Sequence, residues 1–238
     1  MGMGEGHRLG ADGPPLLLPS RPKGIVAPAG GSQSITGDPM IELELADWRR
    51  RVSELYAAVR AEPRPERGHA LWRAGRDELF RAHPQSPLEP GDPLRATGLP
   101  VWPYDPGLRF SLPLRPAPAP AELSLPDGRD GTTKLRLAGQ VELPAPLRAV
   151  VDVWWLEQYA GGLFLPLRDG TAGTTSYGGG RYLLDAAKGA DLGGANGSLV
   201  VDLNFLYHPS CRYSIDWVCP LAPRGNTITA PVRAGERL

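Results

Sequence analysis

The sequence has few cysteines, few lysines and no excess of charge of either sign. Its 238 residues include two cysteines, and its 26 basic residues, of which only Lys23, Lys134 and Lys188 are lysines, equal its 26 acidic residues in number. Long-range attraction of nucleic acid or an anionic membrane surface requires an excess of positive charge. We therefore expect neither nucleic acid nor membrane as a partner.

Long apolar runs are also absent. None approaches the roughly 18 residues that span a bilayer, and the N-terminal candidate, PPLLLP at 14–19, holds three leucines between prolines. No apolar stretch followed by a small-residue cleavage site indicates a secretory signal. The expected location is the cytoplasm, where thiols are more often reduced than bridged.

Glycine and proline are abundant, with 30 and 27 residues against usual shares of roughly 7% and 5%. This excess favours turns and β architecture over a helical bundle. Residues 1–39 are rich in Gly, Pro and Ser without apolar periodicity, which predicts a disordered leader and leaves Met1 or Met40 as the translation start. Residues 40–238 are predicted to form a single domain.

Two segments have the three- and four-residue apolar spacing of amphipathic helices. The first covers residues 45–59 and is expected to end before Pro63, because proline breaks a helix interior. The second lies within 66–83 and is closed by Pro84. Residues 40–84 therefore predict a helical hairpin.

Residues 100–238 alternate short apolar runs with glycine and proline, which is typical of β-rich structure. The clearest pattern is a hairpin at 150–169, where two strand-like runs flank Ala160, Gly161 and Gly162. APAPAE at 117–122 is interpreted as a linker or polyproline segment. The predicted strands are 109–114, 132–137, 140–143, 150–159, 163–167, 181–185 and 199–207. The predicted fold is α+β, with an N-terminal helical hairpin packed on a mainly antiparallel β-barrel or β-sandwich.

Three consecutive glycines, at 178–180 in SYGGGRYLLD, precede Arg181. Such glycines allow backbone N–H groups to face an anion, and a neighbouring arginine can complete the pocket. The segment matches neither GxGxxG nor a GK[ST] ending. Arg181 is therefore a candidate ligand contact, and a simple tight turn before a strand remains the alternative.

The strand predicted at 199–207 places Asp202 and Asn204 on one face that is otherwise apolar. A carboxylate on such a face needs a partner. We expect Arg181 to be that partner, in a pair that is either architectural or catalytic.

The two cysteines follow this strand, in the pattern H-x2-C-x7-C formed by His208, Cys211 and Cys219. A zinc site would need His69 or His83 as a fourth ligand. A disulfide closing the loop, two buried unreactive thiols, and a Cys211 nucleophile activated by His208 are the other interpretations. All four remain open.

Several segments in this order resemble domain-of-unknown-function family 1684: ADWRRRV, RDELFRAHPQSPL, YGGGRYLLD, VVDLNFLYHPSCRY and CPLAP…N…PVRAGE. The resemblance covers residues 45–236 and implies no established activity. The family pattern matches this chain at Tyr177, Gly178, Gly179, Gly180, Arg181, Asp202, Asn204, Tyr207, Pro209, Cys211, Cys219 and Pro220. It has Asn at the position of His208, which argues against an obligatory ligand or base there.

Together these patterns predict a cleft in the C-terminal β-region that binds or acts on a small polar or anionic metabolite. Arg181 would hold the negative group, and Asn204 and Tyr207 would supply hydrogen bonds. The alternative is a non-enzymatic structural or interaction module in which the same residues lock a loop onto the sheet. The predicted ligand-binding residues are Tyr177, Gly179, Gly180, Arg181, Asp202, Asn204, Tyr207, Cys211 and Cys219. The sequence indicates no metal and leaves the cofactor, reaction and oligomeric state unknown.

Overall fold

The structure is a computed structural model that describes residues 39–126, 132–157, 159 and 161–238. Apart from Pro39, the leader predicted at 1–39 lies outside these residues, as does Ala160 of the predicted hairpin turn. None of the helices in the described ranges is both long and apolar enough to cross a membrane.

Prolines set the bounds of the two long helices. Helix α1 spans Pro39–Ala61 and α2 spans Pro65–Ala82, with a short α3 at Leu94–Thr97. Pro65 occupies the first turn of α2, where its missing N–H has no intrahelical partner to lose. Trp72 Nε1 donates to Tyr56 Oη at 3.2 Å and joins the helices. The predicted helical hairpin is confirmed.

Two antiparallel sheets follow the helices. One has five strands in the order β2-β3-β4-β5-β6, and the other has three in the order β1-β8-β7. The strands are β1 Arg109–Pro113, β2 Glu122–Pro126, β3 Thr132–Leu143, β4 Ala149–Leu156, β5 Leu163–Leu167, β6 Arg181–Asp185, β7 Gly194–Ala195 and β8 Ser198–Asp202. The α+β class is therefore confirmed. The five-stranded sheet is open, with β2 and β6 at its edges, so no closed barrel is found among the described strands.

The predicted β4–β5 hairpin is present, with Trp154 paired to Phe164. Residues 132–137 and 140–143 form one strand rather than two, with a register shift at Gly139, where an added Cβ would lie 2.5 Å from the Arg115 carbonyl oxygen. The shift explains why the apolar alternation is interrupted in the sequence. Strand β2 was missed because it begins at Glu122, inside the segment interpreted as a linker.

Strand β8 ends at Asp202, whereas the sequence pattern predicted continuation to Tyr207. The Asp202 carboxylate accepts the Asn204 backbone N–H at 3.1 Å, and a 3₁₀ turn spans Leu203–Phe205. Short polar side chains that bond to a nearby backbone N–H favour turns over strands. The predicted two-face alternation beyond Asp202 is therefore wrong.

One buried cluster joins the helices to both sheets. It contains Tyr56 and Trp72 from the helices, Val153 and Leu183 from the five-stranded sheet, and Val201 from the other sheet. The helical hairpin thus covers apolar surface contributed by both sheets.

Replacement of Gly235 by alanine should destabilise the protein more than the same change at Gly173. Both glycines have positive φ, 73° and 80°, but a Cβ at Gly235 would lie 2.2 Å from the Leu206 carbonyl oxygen, whereas one at Gly173 meets nothing within 4 Å. We expect Gly173→Ala to cost about 1 kcal/mol and Gly235→Ala roughly 2 kcal/mol more. Urea unfolding measures both, and equal costs would contradict the close packing at Gly235.

Candidate functional site

The guanidinium of Arg181 is completely buried and binds the C-terminal segment, residues 232–238. Its Nη2 donates to Asp169 Oδ2 and to the Val232 carbonyl oxygen, both at 2.8 Å. Its Nη1 donates to the carbonyl oxygens of Ala234 and Glu236. A single side chain therefore satisfies three backbone acceptors of the segment.

The predicted ion pair between Arg181 and Asp202 is wrong. Leu167 pairs with Arg181 across β5 and β6, so Asp169, two residues further on, is close to the arginine, while Asp202 ends a strand of the other sheet. Arg181 also has no exposed surface. We therefore do not retain it as a contact for an anionic ligand.

Asp202 and Asn204 form a separate polar cluster with residues 104–105. The Asn204 side chain donates to Asp202 Oδ1 at 2.7 Å and accepts the Asp105 backbone N–H at 2.8 Å. Tyr104 Oη donates to Asp202 Oδ2 at 3.2 Å. Burial raises the pKa of Asp202 despite these hydrogen bonds. The cluster fastens the segment before β1, and it does not share a cleft with Arg181.

Glu236 is a buried carboxylate that the sequence analysis did not single out. Its Oε1 accepts a hydrogen bond from Arg76 Nε, and its Oε2 accepts the His208 backbone N–H at 2.7 Å and the Tyr213 hydroxyl at 3.2 Å. Burial alone would raise its pKa, but the Arg76 guanidinium and His208 together hold it below the usual value. Its sequence context, PVRAGE at 231–236, contains no local pattern that predicts a partner on α2.

His208 has one hydrogen-bonded ring nitrogen, and the other faces a buried carboxylate. Its Nε2 accepts the Tyr177 backbone N–H at 3.2 Å, and its Nδ1 lies 3.7 Å from Glu236 Oε2. Burial lowers the pKa of the imidazole to about 4 even though Glu236 opposes the shift. His208 is therefore neutral at pH 7, and its bonding gives no support to the hypothesis that it activates Cys211.

The glycine turn, residues 178–180, lies against the loop that carries Cys211 and Cys219, which we call the cysteine loop. The sequence predicted the two as parts of one site. The Ala222 backbone N–H donates to the Gly179 carbonyl at 3.4 Å, and a Cβ on Gly180 would lie 3.2 Å from that of Ala222. Burial and the neighbouring Cys211 thiol raise the pKa of the Tyr177 hydroxyl. Binding of a ligand by these residues stays a prediction.

Cys211 and Cys219 are free thiols, and each is only partly buried. The neighbouring Cys211 thiol, together with the Lys188 ammonium, lowers the pKa of Cys219 to about 6 although burial opposes the shift. The Cys219 thiol in turn raises the pKa of Cys211 above its usual value. The interaction between the two thiols therefore favours ionisation of one of them over ionisation of both.

Beside Cys219 lies a cleft between α1, α2 and the end of β6, which we call the Lys188 cleft. Its volume is about 60 Å³. Lys188 Nζ is 3.2 Å from Asp185 Oδ2, and Arg76 lies 4.6 Å from the centre of the Tyr207 ring. The cleft is lined by Trp48, Val52, Tyr56, Arg76, Tyr182, Asp185, Lys188, Ala190, Tyr207, His208, Pro209, Ser210 and Cys219.

The Lys188 cleft contains Tyr207 and Cys219 of the predicted site, and its other polar groups were missed. Asp185 and Lys188 stand three residues apart at the end of a strand, a spacing that could have indicated an ion pair. Trp48 and Arg76 were interpreted only as helix residues, because nothing in the sequence shows which strand end the helical hairpin covers.

In the part of the chain that the structure describes, no group of three His, Cys, Asp or Glu side chains is placed to hold a metal ion. The zinc hypothesis needed His69 or His83 near the cysteines. His69 instead packs against the rings of Tyr104 and Phe205, and His83 Nε2 lies 3.3 Å from Asp47. The structure does not bring the four ligands together.

The fold and site define an α+β protein with a polar, aromatic-walled cleft. A family model described as "Protein of unknown function (DUF1684)" matches residues 95–237, which is more than half of the chain. The chain therefore belongs to this family, as the sequence motifs indicated.

Solved structures similar to this chain include the NMR structure of an uncharacterised protein from gene locus rrnAC0354 of Haloarcula marismortui. The two chains are 31% identical, with a TM-score of 0.50, over 70% of this chain and 90% of that one. No curated protein matches the sequence.

Acid should destabilise the protein through His208. Its folded pKa of about 4 lies below the ordinary 6.5, so the unfolded state binds a proton between these values and folding stability falls as the pH drops through this range. One pKa unit corresponds to 1.36 kcal/mol, so lowering the pH from 7 to 5 should cost about 2 kcal/mol at this residue.

The control is His208→Asn, which cannot titrate. Between pH 7 and pH 5, the free energy of unfolding of this variant should fall by about 2 kcal/mol less than that of the wild type. Urea unfolding at the two pH values measures this difference. Equal pH dependence in the two proteins would show that His208 is not buried in its neutral form.

Proposed function

We propose that this protein binds a small polar or anionic metabolite in the Lys188 cleft. The observation that supports this most is the Asp185–Lys188 pair, in which the carboxylate is buried and the ammonium side chain is 48% exposed. The Asp185 carboxylate raises the pKa of Lys188 against the opposing effect of burial, so its charge persists at pH 7.

The Lys188 ammonium has donors left for a ligand. An ammonium carries three N–H groups, and Asp185 accepts at one of them. A carboxylate or phosphate oxygen of a ligand can take the place of water at the others. Because Asp185 holds the ammonium in place, a ligand does not have to order it on binding.

The walls of the cleft suit a compact ligand with some apolar surface. Its volume of about 60 Å³ lies well below the ~300–1,000 Å³ typical of ligand pockets, so it fits a very small ligand or one polar group of a larger one. The rings of Trp48, Tyr56, Tyr182 and Tyr207 border it. Aromatic walls around a few convergent polar groups are the usual composition of a small-molecule site.

The alternative is a non-enzymatic structural or interaction module, and the burial of Arg181 and Asn204 favours it. Both side chains are fully buried and bonded to backbone groups of neighbouring segments. These two predicted site residues thus fasten the chain to itself, as the module hypothesis expects. The two functions differ in whether the Lys188 cleft takes up a ligand.

Thermal shift assays with a panel of small carboxylates and phosphate monoesters should identify compounds that stabilise the wild type. A bound compound raises the free energy of unfolding by about 1.4 kcal/mol at tenfold its dissociation constant. We expect Lys188→Ala to remove that stabilisation. The matched control is Lys134→Ala, which removes an exposed lysine on β3 and should respond like the wild type.

Two outcomes would count against the proposal. Equal stabilisation of Lys188→Ala and the wild type would place binding elsewhere. A panel in which no compound stabilises the wild type would favour the structural or interaction module.

A further inference from the structure

A second cleft lies where the end of α1 and the start of α2 meet strands β1 and β8, and we call it the Asp202 cleft. Its charged lining residues are Arg60, Glu62, Arg109 and Asp202. It shares no lining residue with the Lys188 cleft. We propose that the Asp202 cleft binds a small zwitterion of the α-amino acid class, with the ligand ammonium at Asp202 and the ligand carboxylate at Arg109.

The size of the cleft limits the ligand to a few heavy atoms. Its volume of about 160 Å³ is below the ~300–1,000 Å³ of pockets for drug-sized compounds. It is close to the ~150 Å³ of an apolar cavity that admits a benzene-sized molecule. Val59, Leu192 and Phe205 supply buried apolar walls. An amino acid with a short side chain therefore fits, whereas a nucleotide does not.

The Asp202 carboxylate can accept one more hydrogen bond. A carboxylate has about four acceptor sites. In Asp202, Oδ1 accepts the backbone N–H and the side-chain amide of Asn204, and Oδ2 accepts the Tyr104 hydroxyl. Arg109 Nε lies 3.5 Å from Oδ2, which is longer than the ~2.7–2.9 Å of a charge-assisted hydrogen bond. An ammonium group at Oδ2 would therefore complete the bonding of a buried charge.

The Arg109 guanidinium supplies the opposite charge beside Asp202. Its side chain is 40% exposed, and among the described residues its two Nη atoms have no hydrogen-bond acceptor. Arg60 also lines the cleft, with its Nη1 bonded to the Asp191 carbonyl oxygen. A planar guanidinium binds a carboxylate through two parallel N–H bonds. Arg109 can thus hold the ligand carboxylate at the exposed side of the cleft.

Charges of both signs favour a zwitterion over a ligand with a single charge. Glu62 and Asp202 balance Arg60 and Arg109 in number, so an anion would be repelled by the carboxylates and a cation by the guanidinium groups. Glu62 already accepts the Arg64 backbone N–H at 2.9 Å, which leaves Asp202 as the carboxylate for an ammonium. Because Arg109 and Asp202 are neighbours, the two charges of the ligand have to be close together, as in an α-amino acid.

Isothermal titration calorimetry of the full-length chain with glycine, L-alanine and L-serine tests the proposal. At least one of the three should bind. The carboxylic acid without the ammonium group and the amine without the carboxylate, propionate and ethylamine in the case of L-alanine, should each bind at least about tenfold more weakly.

Three variants locate the binding. Arg109→Met removes the guanidinium and keeps an unbranched side chain, and it should weaken binding at least about tenfold. The matched control is Arg67→Met, which removes an exposed arginine of α2 that does not line the cleft and should bind like the wild type. Lys188→Ala should also bind the amino acid like the wild type, because Lys188 lines the other cleft.

The proposal is overturned if none of the three amino acids binds, if the matched acid or amine binds as tightly, or if Arg109→Met binds like the wild type. Loss of amino-acid binding in Lys188→Ala would also overturn it, by placing the amino acid in the Lys188 cleft. If Arg109→Met fails to fold, the comparison of the amino acid with its two analogues on the wild type decides. Failure here leaves the proposed function untouched, because that function is tested by Lys188→Ala with carboxylates and phosphate monoesters.

Discussion

The buried guanidinium of Arg181 is the contact on which the C-terminal half of the structure depends. A charged group without access to water is stable only when most of its donors are bonded. Here Asp169 and three carbonyls of the C-terminal segment accept from the two Nη atoms, and Nε alone of the guanidinium nitrogens has no partner among the described residues. This segment also places the Glu236 carboxylate next to Arg76 on α2. Arg181 thus fixes the position of the carboxylate that ties the helical hairpin to the sheets.

Glu236 in turn contacts two residues that line the Lys188 cleft. Arg76, held by Glu236, stacks on the Tyr207 ring, and the His208 backbone is bonded to the same carboxylate. Removing one partner of a buried ion pair generally costs about 3–5 kcal/mol, because the other charge is left uncompensated. Contacts therefore run from Arg181 through the backbone of the C-terminal segment to the Glu236 carboxylate, and from there to Arg76 and His208 at the wall of the cleft.

Sequence patterns predicted the secondary-structure elements better than the side-chain contacts between them. The helical hairpin and the β4–β5 hairpin follow from local periodicity and from Pro63, Pro84 and the 160–162 turn, and the structure contains both. The partner predicted for Arg181 was wrong because the groups that accept its hydrogen bonds are Asp169 and backbone carbonyls more than fifty positions away. Of the site, Tyr207 and Cys219 were predicted, whereas Arg76 and Lys188 enter through tertiary packing that no local pattern encodes.

Hydrogen exchange of the C-terminal segment tests the central claim, that Arg181 locks this segment into the core. The backbone N–H groups of Val232, Glu236 and Leu238 donate to Asp169, Leu206 and Thr175, and amides in such a locked segment should open only with the surrounding core. In exchange followed by mass spectrometry, a peptide covering 232–238 should exchange as slowly as one covering β6. Exchange of that peptide within seconds, as in a frayed chain end, would contradict the account.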